Sequence, residues 1–254
     1  MQGKSLIIDG ILVNYFQEGD ITDNMPIFLH GWGSQALHFK NILDKCSNFI
    51  AIDLPGFGKS NVPKKPFTIE DYSVFLKEFF SKLGIREPIL IGHSLGGSIA
   101  IKYVVKFGNV KKIILISSAG IRRKNFKVYL YLVITKILKF IFYIPGLNYL
   151  RVSARKKYYD LIGAQDYIEA GELTDSFKNI IKEDLSDDMR KVNIETVLIW
   201  GDNDKDTPIK MGELIHSLIK NSKFFIIKNA GHFPFIDQPS EFNAIFFKEF
   251  KNEI

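Results

Sequence analysis

The chain has 254 residues and a formal net charge of +6, and 46% of its residues are hydrophobic. This length suits one large α/β domain, or one domain with an insertion, better than two independent domains. The apolar content includes 22 Phe and 10 Tyr and excludes an intrinsically disordered chain. The single cysteine, Cys46, excludes an intramolecular disulfide, and with no signal-peptide pattern near Met1 it predicts a cytoplasmic location.

A hairpin and six short apolar runs are the predicted strands. Residues 6–14 are apolar around Asp9 and Gly10, a turn signal typical of a β-hairpin. The six later runs, in chain order, are Ile27–His30, Phe49–Ile52, Ile89–Ile91, Ile113–Ile116, Val197–Trp200 and Phe224–Ile227. They are continuously apolar rather than alternating, as strands are when helices cover both faces of a parallel sheet.

Helical segments are predicted between these runs, at residues 68–83, 95–107, 208–220 and 239–250. Thr68 precedes two acidic residues, and Pro208 stands at an early helical position, both of which are typical of helix starts. Strand–helix alternation of this kind predicts an α/β fold with a doubly wound sheet. Ligands of such sheets bind beyond the carboxyl ends of the strands.

The alternation breaks at residues 121–191, where the pattern is mostly helical. We interpret this stretch as an inserted helical cap over the site, with residues 1–120 and 192–254 forming the core domain. Residues 126–144 are long and apolar, but Lys136 and Lys139 lie well inside them, so a bilayer span is not expected. A helix on the membrane surface is an open alternative.

The positive charge is mostly lysine and is spread along the chain, with two clusters in the predicted cap. The arginines of these clusters are Arg122, Arg123, Arg151 and Arg155. A basic surface attracts nucleic acid, anionic lipid or acidic proteins. Because no nucleic-acid reading motif accompanies the charge, nucleic acid is not expected as a partner.

Residues Gly92–Gly96 read Gly-His-Ser-Leu-Gly, which matches the pattern G-x-S-x-G. The pattern stands directly after a predicted strand and directly before a predicted helix, the context of a strained turn that lifts a serine hydroxyl above the sheet edge. Ser94 is therefore the predicted nucleophile.

A serine hydroxyl needs a neighbouring base to act as a nucleophile at neutral pH. Of the five histidines, only His232 follows the last predicted strand and gives the chain order Ser, Asp, His. The acid that orients it is expected at Asp202 or Asp204, with Asp206 more distant, and Asp204 has the better spacing. The other four histidines are interpreted as structural: His30, His38, His93 and His216.

Two backbone N–H groups are expected to form an oxyanion hole, one from Leu95 and one from Trp32 in the loop after the Ile27 run. Trp32, His93 and Phe233 are the expected substrate contacts. No cofactor and no metal are predicted. The segment 58–60 lacks the first glycine of a phosphate loop, because Asp53 occupies that position.

Five stretches together resemble the α/β-hydrolase superfamily. They are His30–Gly33, Asp53–Ser60, Gly92–Gly97, Trp200–Asp204 and Gly231–His232. The resemblance covers residues 6–120 and 195–254. It implies an eight-stranded, mostly parallel sheet and a triad in which the acid is Asp204. Epoxide hydrolases and haloalkane dehalogenases share this fold but need Asp where this chain has Ser94.

Within the superfamily, segments 30–33 and 53–60 resemble two groups: the carboxylesterases that demethylate pimeloyl-carrier-protein methyl ester, and the meta-cleavage-product C–C hydrolases. The former hold an acidic acyl carrier protein with basic cap residues, which makes the cap arginines candidates for the same contact. This chain departs from those esterases at His93, where they usually have Trp.

The sequence therefore predicts a serine hydrolase that cleaves carboxylic esters of a small to medium acyl substrate through an acyl-enzyme. Three alternatives stay open. They are a C–C bond hydrolase, a non-catalytic ligand-binding protein on the same fold, and a peripheral membrane lipase that uses the cap helix as an anchor.

Overall fold

The computed structural model describes residues 1–122 and 170–250. Eight strands form one sheet in the order β1-β2-β4-β3-β5-β6-β7-β8. Their bounds are β1 Gln2–Ile8, β2 Ile11–Glu18, β3 Pro26–Leu29, β4 Phe49–Ile52, β5 Ile89–His93, β6 Lys112–Ile116, β7 Thr196–Gly201 and β8 Ser222–Ile227. β2 runs antiparallel to β1 and to β4, and the other neighbours are parallel, so the predicted eight-stranded, mostly parallel sheet is confirmed.

Helices cover both faces of this sheet. Their bounds are α1 Lys40–Leu43, α2 Ile69–Leu83, α3 Leu95–Phe107, α4 Thr174–Ile180, α5 Ser186–Met189, α6 Ile209–Leu218, α7 Pro234–Asp237 and α8 Pro239–Phe250. One apolar core lies between the sheet and α2, α3, α5 and α6. A second core lies between the other face and α1, α7 and α8.

The two cores explain why the central strands are continuously apolar. In β5, Leu90 packs into the first core, whereas Ile89 and Ile91 pack into the second. Successive side chains of a strand point to opposite faces, so a strand buried on both faces needs an apolar residue at every position.

β8 departs from this expectation. Ile226 is 43% exposed, and Phe224 and Phe225 are only partly buried. The cause is position, because β8 is the last strand of the sheet and has a neighbour on one side only. The apolar run therefore predicted the strand correctly but not its incomplete burial.

Local signals account for the turns and helix ends that lie near the strands. Asp9 and Gly10 have φ of 48° and 78°, the left-handed backbone that a two-residue hairpin turn requires. Thr68 and Asp71 form a capping box at the start of α2, and Gly84, with φ of 73°, ends that helix.

The described end of the predicted cap packs on the core. Leu185 donates its N–H to the Gly120 carbonyl at 2.8 Å, and Lys102 of α3 pairs with Asp188 of α5 at 2.5 Å. The apolar stretch 126–144 and the arginines at 123, 151 and 155 lie outside the described residues, so the cap boundaries stay a prediction. Among residues 1–122 and 170–250, no helix has the length and apolarity needed to cross a membrane.

Candidate active site

Ser94 lies in the sharp turn between β5 and α3. Its φ of 50° places a non-glycine residue in the left-handed region. The Ser94 N–H donates to the Ile116 carbonyl of the adjacent strand at 3.0 Å, which fixes the turn to the sheet. Ser94 is partly exposed, whereas its neighbours from Ile89 to Ile101 are buried. The turn therefore holds one hydroxyl at the surface of a rigid core.

The glycines around Ser94 are required by close packing. A Cβ atom on Gly92 would lie 2.5 Å from the backbone of Gly96, and a Cβ on Gly96 would lie 2.0 Å from the carbonyl oxygen of Leu29. Neither space accommodates a side chain, because contacts below 3.0 Å with backbone force the chain to shift. The G-x-S-x-G pattern thus reflects the contact of the turn with α3 and β3.

His232 and Asp204 form a hydrogen-bonded pair on the loops that follow β8 and β7. His232 Nδ1 lies 2.9 Å from Asp204 Oδ2. A carboxylate only accepts hydrogen bonds, so Nδ1 carries the proton and Nε2 of the neutral ring keeps a free lone pair. The Asp204 side chain is fully buried and that of His232 is 13% exposed. This is the arrangement that a general base needs.

The environment of Asp204 favours its charged form. Burial alone would raise the pKa of the Asp204 carboxyl, but the hydrogen bond and charge of His232, with hydrogen bonds from Thr207, lower it below its usual value. Oδ1 accepts the N–H groups of Asp206 and Thr207 at 2.9 and 2.8 Å, and Oδ2 lies 2.8 Å from the Thr207 hydroxyl.

Thr207 is a residue that sequence reasoning missed. It holds the acid through both its N–H and its hydroxyl, and that hydroxyl also lies 3.0 Å from the Ser117 carbonyl. The available signal was a hydroxyl residue three positions after Asp204, the spacing of a side-chain-to-backbone turn.

The other nearby acids are arranged differently. Asp202 is exposed and bonds to the Asn203 amide, so Asp204 is the carboxylate that contacts His232. Asp206 is also exposed, and its carboxylate lies close enough to Asp204 and His232 for the three to be considered as metal ligands. Protein hydrogen bonds already engage both oxygens of Asp204 and Nδ1 of His232, so the hydrogen-bonded pair accounts for the arrangement without an ion.

The loop after β3 lies against Ser94. A Cβ on Gly31 would come within 3.1 Å of the Ser94 Cβ atom. Among the described residues, the backbone N–H groups of Trp32 and Leu95 have no hydrogen-bond acceptor. Buried N–H groups are rarely left unpaired, and Leu95 is only 2% exposed. Two free donors near one hydroxyl match the requirements of an oxyanion hole.

His30 fixes the orientation of this loop. Its Nδ1 donates to the Gly31 carbonyl at 2.8 Å, and its Nε2 accepts the Leu54 N–H at 3.0 Å. Burial lowers the pKa of His30 to about 4, so the ring is neutral at pH 7. No described peptide bond is cis, so the Trp32 N–H points away from the carbonyl that His30 holds.

A cavity of about 350 Å³ opens beside this loop. Trp32, Phe57 and Leu173 supply apolar walls, Val62 lies at the side, and Glu172 contributes a carboxylate. The Trp32 indole meets the ring of Phe57 edge-to-face at 5.0 Å between centroids, and the same indole lies 4.9 Å from the ring of Phe177 in α4. The volume is in the range of small-molecule sites.

The two remaining expected substrate contacts lie in different environments. Phe233 is partly buried, with its ring 5.4 Å from that of His232. His93 is only 2% exposed, and its Nε2 lies 2.8 Å from the main-chain carbonyl of His232. His93 therefore lies beneath the base rather than on an open pocket wall, because β5 directs its side chain into the second core.

Ser94 and His232 do not form a hydrogen bond with each other in this structure. His93, the residue before Ser94, has its ring 4.7 Å from that of His232. Hydrogen bonds between a nucleophile and its base are often long in the absence of substrate. The structure thus brings Ser94, the His232–Asp204 pair and two free N–H donors to one edge of the sheet.

Comparisons with known proteins find chains of similar sequence and similar fold. A pimeloyl-acyl-carrier-protein methyl ester esterase from Wigglesworthia glossinidia brevipalpis is 29% identical over 250 residues, which cover 88% of this chain and 93% of that protein. Lipase 3 from Moraxella sp. strain TA144 is 25% identical over 265 residues, which cover 93% and 81%. The solved structure of a meta-cleavage product hydrolase from Pseudomonas fluorescens IP01 superposes with a TM-score of 0.74 at 20% identity, over 99% of this chain and 98% of that one.

The structural likeness, at this identity, concerns the fold alone. The family evidence comes from a sequence model described as the alpha/beta hydrolase family, which matches residues 27–245. That range includes strands β4 to β8 and all but the first residue of β3, with the turn at Ser94 and the loops of Asp204 and His232. On this evidence the chain is a member of the alpha/beta hydrolase family.

Proposed function

We propose that this chain is a serine esterase that works through a covalent acyl-enzyme. Ser94 Oγ attacks the ester carbonyl carbon, and His232 Nε2 takes the hydroxyl proton. The protonated ring then gives this proton to the departing alcohol. The same nitrogen then takes a proton from a water molecule, which attacks the acyl-enzyme; the acyl–Oγ bond breaks, the acid leaves, and the ring returns the proton to Ser94 Oγ.

Three further elements support this mechanism. The N–H groups of Trp32 and Leu95 donate to the oxyanion of the tetrahedral intermediate, and one such donor is typically worth about 2.7–4 kcal/mol of barrier. Asp204 keeps the proton of His232 on Nδ1 and stabilises the imidazolium that forms. The positive end of α3 points toward the developing charge as well.

The observation that carries the proposal is the hydrogen bond of 2.9 Å between His232 and the buried Asp204. It assigns the proton of the neutral ring to Nδ1, so Nε2 is the nitrogen that can take a proton, on the edge of the sheet where Ser94 stands partly exposed in its strained turn. Esterases and lipases among the relatives of the chain support the choice of ester bonds.

The substrate we propose has an acyl group of small to medium size. The mostly apolar cavity beside Trp32 supports this size range, and Phe233 is proposed as a second contact. Capture of an acidic acyl carrier protein by the basic residues of the cap stays a proposal that rests on charge. A lower KM for a carrier-linked ester than for the free methyl ester would support it.

We also propose a cytoplasmic location, on the strength of the single, buried Cys46.

Hydrolysis of p-nitrophenyl esters from acetate to palmitate tests the proposal. We expect hydrolysis with an optimum at short or medium chain length, and we expect Ser94→Ala to abolish it without unfolding the protein. Ser81→Ala is the matched control, because Ser81 is an exposed residue of α2, and it should retain wild-type rates.

Other outcomes would favour the alternatives. Faster turnover of vinylogous diketones than of any ester would indicate a C–C hydrolase. Tight binding of esters by a folded protein, with no turnover of either substrate class, would indicate a ligand-binding homologue. Either result would overturn the esterase proposal.

A further inference from the structure

His93 immediately precedes the nucleophile but has no open path to a substrate. It is the last residue of β5 and is 2% exposed. Its ring packs against those of His232 and Phe233, with both centroids 4.7 Å away, and the ring of Phe235 lies edge-on at 5.4 Å. The His93 side chain therefore packs against the base, His232, and supports it.

One hydrogen bond joins the turn that carries Ser94 to the loop that carries His232. His93 Nε2 lies 2.8 Å from the His232 carbonyl oxygen. A carbonyl only accepts, so Nε2 is the protonated nitrogen of His93. The bond connects residues that are 139 positions apart in the chain, one beside Ser94 and the other carrying the base.

Other contacts hold the rest of the His232 loop. The Ala230 carbonyl accepts the Asn203 N–H at 2.9 Å, and Gly231 donates its N–H to Asp237 at 2.7 Å. His93 is the only side chain in the described residues that bonds to the main chain of His232. Asp204 holds the imidazole through Nδ1, so the two contacts together constrain both the main chain and the ring of His232.

The electrostatic environment keeps this donor in one protonation state. Burial, aided by the nearby His232 and His30, lowers the pKa of His93 to about 3, although Asp204 acts in the opposite direction. The ring is consequently neutral across the working range of an esterase, and no second positive charge competes with the imidazolium of His232.

We propose that His93 is a positioning residue that holds the main chain of His232 at a fixed place relative to Ser94. The inference rests on the proposed function, because it concerns how the base reaches the nucleophile. Ser94 and His93 share one rigid turn, so a base anchored to His93 is aligned with the hydroxyl it serves. A displacement of about 1 Å in such an alignment can lower rates about 10²-fold.

Three variants test this role by steady-state kinetics on a p-nitrophenyl ester. His93→Phe keeps a ring and removes the donor, and we expect kcat to fall at least about 10-fold with KM changed less than about 2-fold. His93→Gln keeps an N–H at a similar reach, and we expect kcat within about 3-fold of wild type. Phe39→Leu is the packing control, because Phe39 contacts the His93 ring at 6.5 Å without a hydrogen bond.

Specific results would overturn the positioning role. A raised KM with unchanged kcat in His93→Phe would indicate substrate contact. Equal loss in His93→Phe and His93→Gln, or equal loss in Phe39→Leu, would indicate that packing matters and the hydrogen bond does not.

A spectroscopic measurement on the wild-type protein keeps the proposal testable if His93→Phe does not fold. Long-range ¹H–¹⁵N correlation spectra should show His93 as the neutral Nε2–H tautomer from pH 8 to pH 5. An Nδ1–H tautomer of the neutral ring would contradict the hydrogen bond. Failure of the proposed function is distinguishable, because it would be an absence of Ser94-dependent turnover in a wild-type protein that still shows this tautomer.

Discussion

Asp204 illustrates how one side chain is specified by its immediate partners. Its two oxygens accept two backbone N–H groups, contact the Thr207 hydroxyl and accept the His232 Nδ1 proton. Each of these donors favours the carboxylate over the neutral acid. Asp202, two residues earlier, is exposed and bonds only to its neighbour Asn203.

Replacement of these two acids should have unequal effects. Asp204→Asn offers an amide in place of a carboxylate, so the proton of His232 can move to Nε2, where it blocks the base. We expect kcat to fall by roughly 10⁴-fold, while Asp202→Asn stays within a few-fold of wild type. Steady-state kinetics of both variants check this. A larger loss in Asp202→Asn would show that the acid is wrongly assigned.

The contacts of His93 could not be predicted from local residue patterns. Its position beside Ser94 made substrate contact a reasonable prediction, yet the structure buries it under His232. The burial depends on a loop 139 residues further along the chain, and no local pattern encodes that contact. The same limit applies to the contact of Thr207 with the carbonyl of Ser117, which follows β6 and is 90 residues away in the chain.

At the scale of elements, the sequence predicted most of the core fold because the signals are local. Continuous apolar runs mark strands buried on both faces, and the box at Thr68 marks the start of α2. The structure changes their bounds by a few residues, for instance by extending β6 back to Lys112. The incomplete burial of β8 was not predicted, because it depends on which strand ends the sheet.

The residues of the candidate site could be predicted from the same kind of local signal. The turn at Ser94 and the loops of Asp204 and His232 all stand at the carboxyl ends of parallel strands, which meet at one edge of the sheet. The order of the strands, and therefore the distances between these loops, comes from tertiary packing. The cap stays a prediction.

At the scale of the whole molecule, two buried neutral histidines couple folding to pH. Burial lowers the pKa of His30 to about 4 and that of His93 to about 3, well below the value of an exposed imidazole. Between these values and about pH 6.5 the unfolded chain binds more protons than the folded one. Stability therefore falls as the pH decreases through this window.

The contribution of one histidine, His30, to this pH dependence of stability can be measured. Each such histidine removes up to about 1.4 kcal/mol per pH unit, so His30 alone lowers the free energy of unfolding by about 2 kcal/mol between pH 7 and pH 5. Between pH 7 and pH 5, the free energy of unfolding of His30→Gln should fall by about 2 kcal/mol less than that of the wild-type protein. Urea denaturation of both proteins at the two pH values checks this, and an unchanged drop would show that His30 is not neutral in the folded state.

Covalent trapping tests most directly whether Ser94 is an activated nucleophile. An alkyl fluorophosphonate reacts with a serine whose proton is taken by a base, and it stays attached. Intact-mass and peptide spectra should show one adduct per chain, on the peptide that contains Ser94, and His232→Ala should label far more slowly. No adduct on the folded protein, an adduct elsewhere, or equal labelling of His232→Ala would contradict the account.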